Sequence, residues 1–359
     1  MYLKLKLVAV FFFFTMVEAI GQEMLKVAVA GMSHDHVHVL FNLYKQNQVD
    51  LVGIAERDTA LIHRMQKRYH LPDALFYPSL DSLLKKVKPT VVLAYNPVAE
   101  HVDVAEACLP LRIPVMVEKP LAATATQAQR IAQLAKKYNT LFLTNYETTW
   151  YRSNHRIKAL TNQHTLGKLK KIVVRDGHQG PKEIGCSADF LNWLTDPVKN
   201  GGGALMDFGC YGANLMTWLK QGERPLAVTA VTRHLKPQIY PKVEDDATIV
   251  LEYADGTTGL IQASWDWSYN IKDMQIFGDS KMLHARDDHT LLEYQNVNDY
   301  KEIPLDNTYY TNHLAYLKDV LAGKIEATND LSSLTNNLVV MEILEAAKRS
   351  ANEGKRIVL

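Results

Sequence analysis

The stretch Leu25-Lys26-Val27-Ala28-Val29-Ala30-Gly31-Met32-Ser33-His34-Asp35-His36 joins a short apolar run to a polar turn that begins at a glycine. Such a run is typical of a buried strand, and the pattern after the turn predicts a helix over 37–46. A strand, a tight turn and a helix in this order form the unit from which parallel sheets are built. The stretch therefore predicts an α/β domain whose ligand lies where the strand ends.

The same alternation of strands and helices continues to about residue 145. Further strands are predicted at 50–55, at 90–94, up to 118 and at 140–144, with helices between them. This order predicts a doubly wound, Rossmann-type parallel sheet. After residue 168 the strands become longer and alternate, with a hairpin signal at Asp255-Gly256. We therefore predict a second, α+β domain with a mostly antiparallel open sheet, closed by a helix that packs back toward the first domain.

Length and charge bound the organisation of the chain. At 359 residues it suits two domains, which we place at 24–145 and 146–359. A net charge of +1 gives no electrostatic reason to expect nucleic acid or an anionic membrane as a partner. The three cysteines form no paired motif, so we expect free thiols. The open sheet face of the second domain favours a homodimer or homotetramer.

Residues 1–21 have the pattern of a signal peptide. A segment with two lysines precedes an apolar stretch at 7–20, and Ala19-Ile20-Gly21 supplies small residues before a cleavage point at Gln22. A membrane anchor is the alternative, but an apolar stretch of about fourteen residues is short for a membrane span. We therefore predict an exported protein, periplasmic or secreted, with no membrane anchor after cleavage.

Two segments far apart in the sequence carry side chains suited to proton transfer. Val117-Glu118-Lys119-Pro120 stands where a buried strand ends, and the glycine-rich run 201–211 holds Asp207 and Tyr211 one helical turn apart. Proton transfer needs an acid or a base, and an ammonium such as Lys119 lowers the pKa of a nearby phenol. We predict that Lys119, Asp207 and Tyr211 are catalytic, with Asp207 orienting a substrate hydroxyl. The alternative for Tyr211 is an aromatic ring packed on its helix face.

The first turn departs from the usual dinucleotide-binding pattern. Only Gly31 stands in a G-x-G-x-x-G frame, because Ser33 and His36 occupy the other two glycine positions. Glu56 ends the second strand, where a carboxylate can accept hydrogen bonds from both ribose hydroxyls and disfavours a 2′-phosphate. NAD is therefore favoured over NADP, although the neighbouring Arg57 can hold that phosphate. The alternative for Glu56 is a solvated charge at a strand end.

Histidines near this turn raise the question of a metal. His34, Asp35, His36 and His38 resemble a ligand cluster, but no matching carboxylate–histidine partner stands elsewhere in the sequence. We therefore predict no metal and place His34 and His36 near the pyrophosphate of the cofactor.

These segments together resemble the glucose–fructose oxidoreductase, inositol dehydrogenase and rhizopine-catabolism (Gfo/Idh/MocA) family over nearly all of the chain that follows the signal peptide. The resemblance rests on the turn at Gly31, Glu56, the Ala94-Tyr95-Asn96-Pro97 turn with His101, Glu118-Lys119-Pro120, Asn145 and the run 201–211. In that family a lysine and a histidine or tyrosine flank the sugar carbon that exchanges hydride with the nicotinamide. Tyr211 resembles the sugar-oxidoreductase branch, and the bond before Pro120 is often cis in relatives.

The cofactor-binding residues follow from the turn, the second strand and this resemblance. Glu118 is expected either to position Lys119 or to meet the nicotinamide end. The predicted set is Gly31, Ser33, His34, His36, Glu56, Arg57, Asn96, His101, Glu118 and Asn145.

Candidates for contact with the substrate lie in the second half of the chain. His178 stands in a turn between two glycines, while Trp193 and Trp265 can stack on the apolar face of a sugar ring. The alternative for each tryptophan is a place in the core. The expected partner is a small-molecule sugar or glycoside.

Export restricts the reaction, since little free dinucleotide is present outside the cytoplasm. The resemblance implies an oxidoreductase that acts on a secondary hydroxyl with tightly bound NAD. A redox-neutral NAD-dependent glycosidase, which oxidises, eliminates, hydrates and reduces in one cycle, is the first alternative. A non-catalytic sugar- or dinucleotide-binding protein is the second.

Overall fold

A computed structural model describes residues 24–359, so the predicted signal peptide lies outside the described residues. The first domain alternates strands and helices as the sequence predicts. Its elements are β1 (Lys26–Ala30), α1 (Val37–Lys45), β2 (Asp50–Ala55), α2 (Thr59–Tyr69), β3 (Phe76–Tyr77), α3 (Leu80–Leu84), β4 (Val91–Ala94), α4 (His101–Cys108), β5 (Val115–Glu118), α5 (Ala125–Tyr138) and β6 (Phe142–Asn145). The strands pair in parallel in the order β3-β2-β1-β4-β5-β6, which confirms the predicted Rossmann-type sheet.

The centre of this sheet creates the crevice at which a ligand is expected. The strand order reverses between β1 and β4, and open α/β sheets bind ligands at such a point. Gly31 follows β1 with a φ of +75°, and a Cβ there would lie 2.7 Å from the Asn96 Cβ, in the turn after β4. The two turns therefore touch, and only a residue without a Cβ fits at position 31.

The second domain carries a mixed sheet with helices on one face. Its elements are α6 (Arg152–Asn162), β7 (Lys171–Gly177), α7 (Ala188–Leu194), α8 (Ala204–Asp207), α9 (Gly209–Leu219), β8 (Ala227–Arg233), β9 (Asp246–Glu252), β10 (Thr258–Ser264), β11 (Ile271–Phe277), β12 (Met282–Ala285), β13 (Leu291–Asn296), β14 (Asp299–Glu302), α10 (His313–Leu321), α11 (Leu334–Glu353) and β15 (Ile357–Val358). The strand order is β14-β13-β12-β11-β7-β10-β9-β8-β15. The pairs are antiparallel except β7–β10, which confirms a mostly antiparallel sheet.

Two helices join this sheet to the first domain. Every residue of α9 is buried, because the helix packs against β7 and β10 on one side and against α11 on the other. The α11 helix also contacts α5 and β6 of the first domain, and the Thr144 N–H donates to the Ser332 carbonyl at 3.0 Å. The described residues contain no helix with the length and apolar character needed to cross a membrane.

Candidate active site

Lys119 lies at the carboxyl end of β5 and is 5% exposed. The peptide bond between Lys119 and Pro120 is cis, as in many members of the family that the sequence resembles. The ammonium group forms an ion pair with the Asp207 carboxylate and donates to the Asp207 carbonyl at 3.2 Å. The second carboxylate oxygen accepts a 2.9 Å hydrogen bond from the Trp265 indole N–H. Asp207 therefore holds Lys119 in place, and both of its carboxylate oxygens already have partners.

Three consecutive glycines set the position of Asp207. A Cβ at Gly201 would lie 2.3 Å from the Ala123 carbonyl oxygen, and one at Gly203 would lie 1.9 Å from the Glu244 carbonyl oxygen. The Glu244 carboxylate also accepts the Gly203 N–H at 2.8 Å. The glycine run is thus pressed between two backbone segments, and the single helix expected after it is divided into α8 and α9 at Phe208.

Tyr211 lies in the first turn of α9 and is 1% exposed. The Lys119 Nζ is 5.2 Å from the centroid of its ring, and the Tyr146 ring meets it edge-on at 5.4 Å. Lys272, on β11, places a second ammonium 5.0 Å from the same centroid. The structure therefore brings the three predicted catalytic residues together and adds a lysine that the sequence reasoning missed.

The charges of this centre are set by burial and by close pairing. Burial alone would lower the pKa of Lys119, but the Asp207 carboxylate beside it raises that pKa above its ordinary value. Burial opposes ionisation of Asp207 as well, yet Lys119 holds the pKa of its carboxyl below the usual range. Both groups are therefore ionised near neutral pH.

Tyr211 differs from the expectation based on Lys119 alone. Burial raises the pKa of its phenol well above the usual range, and the nearby Glu147 and Asp176 add to the rise. The predicted lowering by Lys119 is thus outweighed in this state, because the ring is almost fully removed from water. The phenol is protonated near neutral pH and is ready to donate.

Glu118 belongs to a polar network beneath the first turn. Its carboxylate meets the His36 Nδ1 at 2.9 Å and accepts the Asn145 amide at 2.8 Å, and Asn145 in turn accepts the Trp150 indole N–H at 3.1 Å. Burial would raise the pKa of Glu118, but His36 holds it below the ordinary value. The Glu118 carboxylate therefore connects His36, in the first turn, to Asn145 at the end of β6.

His34 packs against side chains of the second domain. It is 2% exposed and packs against the rings of Phe190 and Trp193, with centroid separations of 4.5 and 5.6 Å. Its Nδ1 accepts the His36 N–H at 3.1 Å, and its Nε2 has no partner among the residues that the structure describes. Burial lowers the pKa of His34, so its neutral ring carries the proton on Nε2.

A metal would have to compete with this hydrogen bonding. His34, His36 and Glu118 form one of two groups of potential ligands found within residues 24–359; the other is the surface trio Asp287, Asp288 and His289. A metal-binding imidazole usually donates its other N–H to an acceptor. The Nδ1 of His34 instead accepts a hydrogen bond from the His36 N–H, so the Nε2 carries the proton and has no lone pair for a metal.

A cleft of about 630 Å³ opens at the switch point of the first sheet. Four of the predicted cofactor residues line it beside Gly31: Ser33, Glu56, Arg57 and Asn96. Glu56 already accepts the backbone N–H groups of Met32 at 3.0 Å and Arg57 at 2.7 Å. No side chain caps the N-terminus of α1, whose first backbone N–H groups donate to the carbonyls of residues 34–36 in the turn. These features fit a dinucleotide whose pyrophosphate rests on the turn.

His101 supports the floor of the site without lining the cleft. It is 0% exposed, and its Nδ1 donates to the Leu121 carbonyl, just past the cis bond, at 3.2 Å. Burial lowers its pKa to about 4, so the ring is neutral near neutral pH.

A segment of the second domain crosses this cleft; we call residues 187–199, which include α7, the strap. The Ser187 N–H donates to the Asp35 carboxylate at 2.9 Å, and Asp189 pairs with Arg64 at 2.6 Å. At the other end, the Lys199 carbonyl accepts the Ala99 N–H at 2.8 Å. Trp193 lines the cleft from the strap. Trp193, predicted to contact the substrate, thus lines the same cleft as the predicted cofactor residues.

The other two substrate candidates also have defined positions. Trp265 is 0% exposed, so it cannot stack on a sugar in this state and instead orients Asp207. His178 packs edge-on against Phe208 at 4.8 Å, and its Nδ1 accepts the Gly180 N–H at 2.9 Å. Burial lowers the pKa of His178 to about 4, so the neutral ring presents an Nε2–H donor.

Comparison with known proteins agrees with this architecture. Residues 25–146 match the oxidoreductase family, NAD-binding Rossmann fold, and residues 154–284 match the GFO/IDH/MocA C-terminal domain. The trans-1,2-dihydrobenzene-1,2-diol dehydrogenase of Xenopus tropicalis is 29% identical over 239 residues, which cover 65% of this chain and 66% of that protein. The Bos taurus enzyme of the same name is 25% identical over 237 residues and covers 66% of each. The match thus spans just under two thirds of these relatives' length.

Solved structures share the whole fold. An inositol dehydrogenase homologue from Azotobacter vinelandii, complexed with NAD⁺, superimposes with a TM-score of 0.81 at 17% identity over 94% of this chain and 98% of that chain. The aldose–aldose oxidoreductase from Caulobacter crescentus, complexed with glycerol, gives a TM-score of 0.79 at 19% identity over 94% and 100%. With an NAD-binding Rossmann domain, the paired C-terminal domain and Lys119 and Tyr211 at their junction, the chain belongs to the Gfo/Idh/MocA family of oxidoreductases.

Proposed function

We propose that this protein is an NAD(P)-dependent oxidoreductase that acts on a secondary hydroxyl of a sugar or glycoside. The observation that carries the proposal is the Lys119–Asp207 ion pair beside the ring of Tyr211. When bound, NAD supplies the hydride acceptor. Tyr211 exchanges the hydroxyl proton of the substrate, Lys119 stabilises the phenolate, and Asp207 fixes Lys119.

The two directions of the reaction place different demands on Tyr211. In the reductive direction the buried, protonated phenol donates its proton to the new alkoxide, which suits its raised pKa. In the oxidative direction the phenol must first be ionised, so the positive charge of Lys119 has to offset the loss of water. In this proposal the Nε2–H of His178 donates a hydrogen bond to an oxygen of the substrate, because the Nδ1 accepts from the Gly180 N–H.

Retention of the cofactor is part of the proposal and favours a second candidate. The three hydrogen-bonded contacts of the strap lie along the cleft, so the dinucleotide would have to pass them to leave. A cofactor that stays bound suits an exported enzyme that completes oxidation and reduction in one cycle. A redox-neutral NAD-dependent glycosidase fits the same residues, and it differs in that a glycosidic bond is cut.

The first test is to purify the exported protein without added nucleotide, denature it and assay the supernatant for NAD and NADP. We expect about one NAD per chain, in line with Glu56 at the ribose position. Methyl β-D-glucopyranoside and trans-1,2-dihydrobenzene-1,2-diol then serve as probes, with the absorbance of reduced nicotinamide as readout. Release of nitrophenol from nitrophenyl glucoside without added NAD would favour the glycosidase. A protein that neither contains nor binds NAD would overturn both candidates.

A further inference from the structure

Lys272 reaches the acid–base centre from an element that carries no recognisable motif. It lies on β11, and its Cα pairs in register with that of Asp176 on β7. Its Nζ is 5.0 Å from the Tyr211 ring centroid and 5.9 Å from that of Phe208. The Lys272 side chain is 13% exposed. A nearly buried ammonium thus lies as close to the phenol ring as Lys119 does.

The ion-pair partner of Lys272 lies in the segment that follows the last strand of the first sheet. The Lys272 ammonium pairs with Glu147, whose side chain is about half exposed. Glu147 also accepts a hydrogen bond from the Tyr151 hydroxyl at 2.8 Å. These contacts fix the position of the cation beside the Tyr211 ring.

Asp176 is a second carboxyl group close to Lys272. It is 1% exposed, and its Oδ1 has no partner among the described residues. Burial would lower the pKa of Lys272, but Asp176 and Glu147 raise it above the ordinary value. Lys272 therefore remains an ammonium beside the Tyr211 ring.

We propose that Lys272 is a second cation of the acid–base centre, which positions Tyr211 and stabilises its phenolate during proton transfer. This inference rests on the proposed role of Tyr211 in the function above. Attraction between an ammonium and an aromatic ring holds the ring in place, and the attraction grows when the ring becomes a phenolate. Lys119 and Lys272 together offset the desolvation of a buried anion that one lysine leaves uncompensated.

Several titratable groups face Tyr211 and enter any measurement of its ionisation. They come from β5, the segment after β6, β7, α8, α9 and β11, and they are Lys119, Tyr146, Glu147, Asp176, Asp207, Cys210 and Lys272.

The test follows the ionisation of Tyr211 directly, by fluorine NMR of NAD-loaded protein labelled with fluorotyrosine, in which Tyr211→Phe identifies the signal. In Lys272→Met we expect the half-ionisation pH of Tyr211 to rise by about two units, the effect of a charge about 5 Å away at an effective dielectric of about 20. Lys272→Arg should restore it. Glu147→Gln should lower the half-ionisation pH, because it removes a negative charge close to Tyr211.

A matched control is Lys281→Met, which breaks the 2.8 Å ion pair between Lys281 and Glu293 in the same sheet without touching the centre. It should leave the Tyr211 signal unchanged. The same half-ionisation pH in wild type, Lys272→Met and Glu147→Gln overturns the inference. So does a signal that stays un-ionised in wild type and Glu147→Gln until the protein unfolds.

This readout needs no turnover, so its failure is separate from failure of the proposed function. If Tyr211→Phe abolishes turnover while Lys272→Met leaves the Tyr211 ionisation unchanged, only the role of Lys272 is wrong. If Tyr211→Phe leaves turnover intact, the acid–base assignment itself is wrong. Should Lys272→Met fail to fold, Lys272→Gln, which also removes the charge, decides the question in its place.

Discussion

The acid–base centre and the dinucleotide cleft lie at the same edge of the first sheet, but they are built differently. In the centre, Lys119 and Asp207 are 5% and 4% exposed and already hold each other. In the cleft, Glu56 is partly exposed. Among the described residues, its carboxylate accepts hydrogen bonds from the backbone N–H groups of Met32, Arg57 and Asp58. The centre is thus ordered before any ligand arrives, whereas the cleft leaves space of about 630 Å³. Substitutions in the centre should therefore change rates, and substitutions in the cleft should change affinity.

The largest effect is expected for Tyr211→Phe, which removes the hydroxyl to which we assign proton transfer and keeps the packed ring. Turnover should fall by about 10²–10⁴-fold, while the dissociation constant for NAD stays within about twofold. Steady-state rates and NAD titrations on the same preparation measure both. Tyr253→Phe is the matched control, since Tyr253 is a buried tyrosine elsewhere in the second domain. Equal losses in both variants would mean that the effect of Tyr211 is structural.

An intermediate effect is expected for Glu56→Ala in the cleft. Loss of the hydrogen bonds from the ribose hydroxyls should weaken NAD binding by about 10–100-fold, the usual range for hydrogen bonds to a charged group. Turnover at saturating NAD should change little. Glu56→Gln keeps an acceptor for the turn and should lie between wild type and Glu56→Ala. If Glu56→Ala still lowers turnover at saturating NAD, residues of the cleft also affect the rate, and the distinction between rate and affinity fails.

The smallest effect concerns the free energy of unfolding in acid, and it tests the buried residue His101, which packs beneath both regions. The pKa of His101 is lowered to about 4 by burial, so the unfolded chain binds more protons between pH 6.5 and about 4. Stability should therefore be complete above pH 6.5 and fall as the pH drops through this window. In His101→Asn, the unfolding free energy lost between pH 7.5 and 5 should be about 1–2 kcal/mol smaller than in wild type.

Chemical denaturation at the two pH values measures this difference. The exposed histidine of α2 supplies the control, because His63→Asn should leave the acid-induced loss as it is in wild type. His313 is also buried with its pKa lowered to about 4, so part of the loss should remain in His101→Asn. An unchanged loss in His101→Asn would mean that this ring is not held neutral by the fold.

The sequence was sufficient to predict the sheet of the first domain and to single out Lys119, Asp207 and Tyr211, which the fold brings together. Lys119 stands directly after an apolar strand, and Asp207 and Tyr211 stand directly after the glycines, so local pattern locates each of them. Lys272 could not be found in this way, because only the register of β11 on β7 brings it to the site. Likewise His36 and Glu118 were both predicted, but their contact depends on the neighbouring turns of a folded sheet.

The two tryptophans, Trp193 and Trp265, also show what sequence patterns cannot predict. Composition suggested that Trp193 and Trp265 meet a sugar, yet one lines the cofactor cleft and the other is fully buried. An aromatic side chain contributes to a core, a cleft wall or a sugar platform with the same apolar surface. Only the tertiary position separates these roles, which is why patterns of hydrophobicity could not.

The glycine triplet has a consequence for evolution. Gly201 and Gly203 are required because carbonyl oxygens of Ala123 and Glu244 leave no room for a Cβ, and neither glycine takes part in proton transfer. A descendant that lost catalysis would still need both glycines in order to fold, whereas Lys119 and Tyr211 would be free to drift. Among homologues we therefore expect the triplet to mark shared ancestry, and the lysine with the tyrosine to mark those that keep the proposed proton transfer.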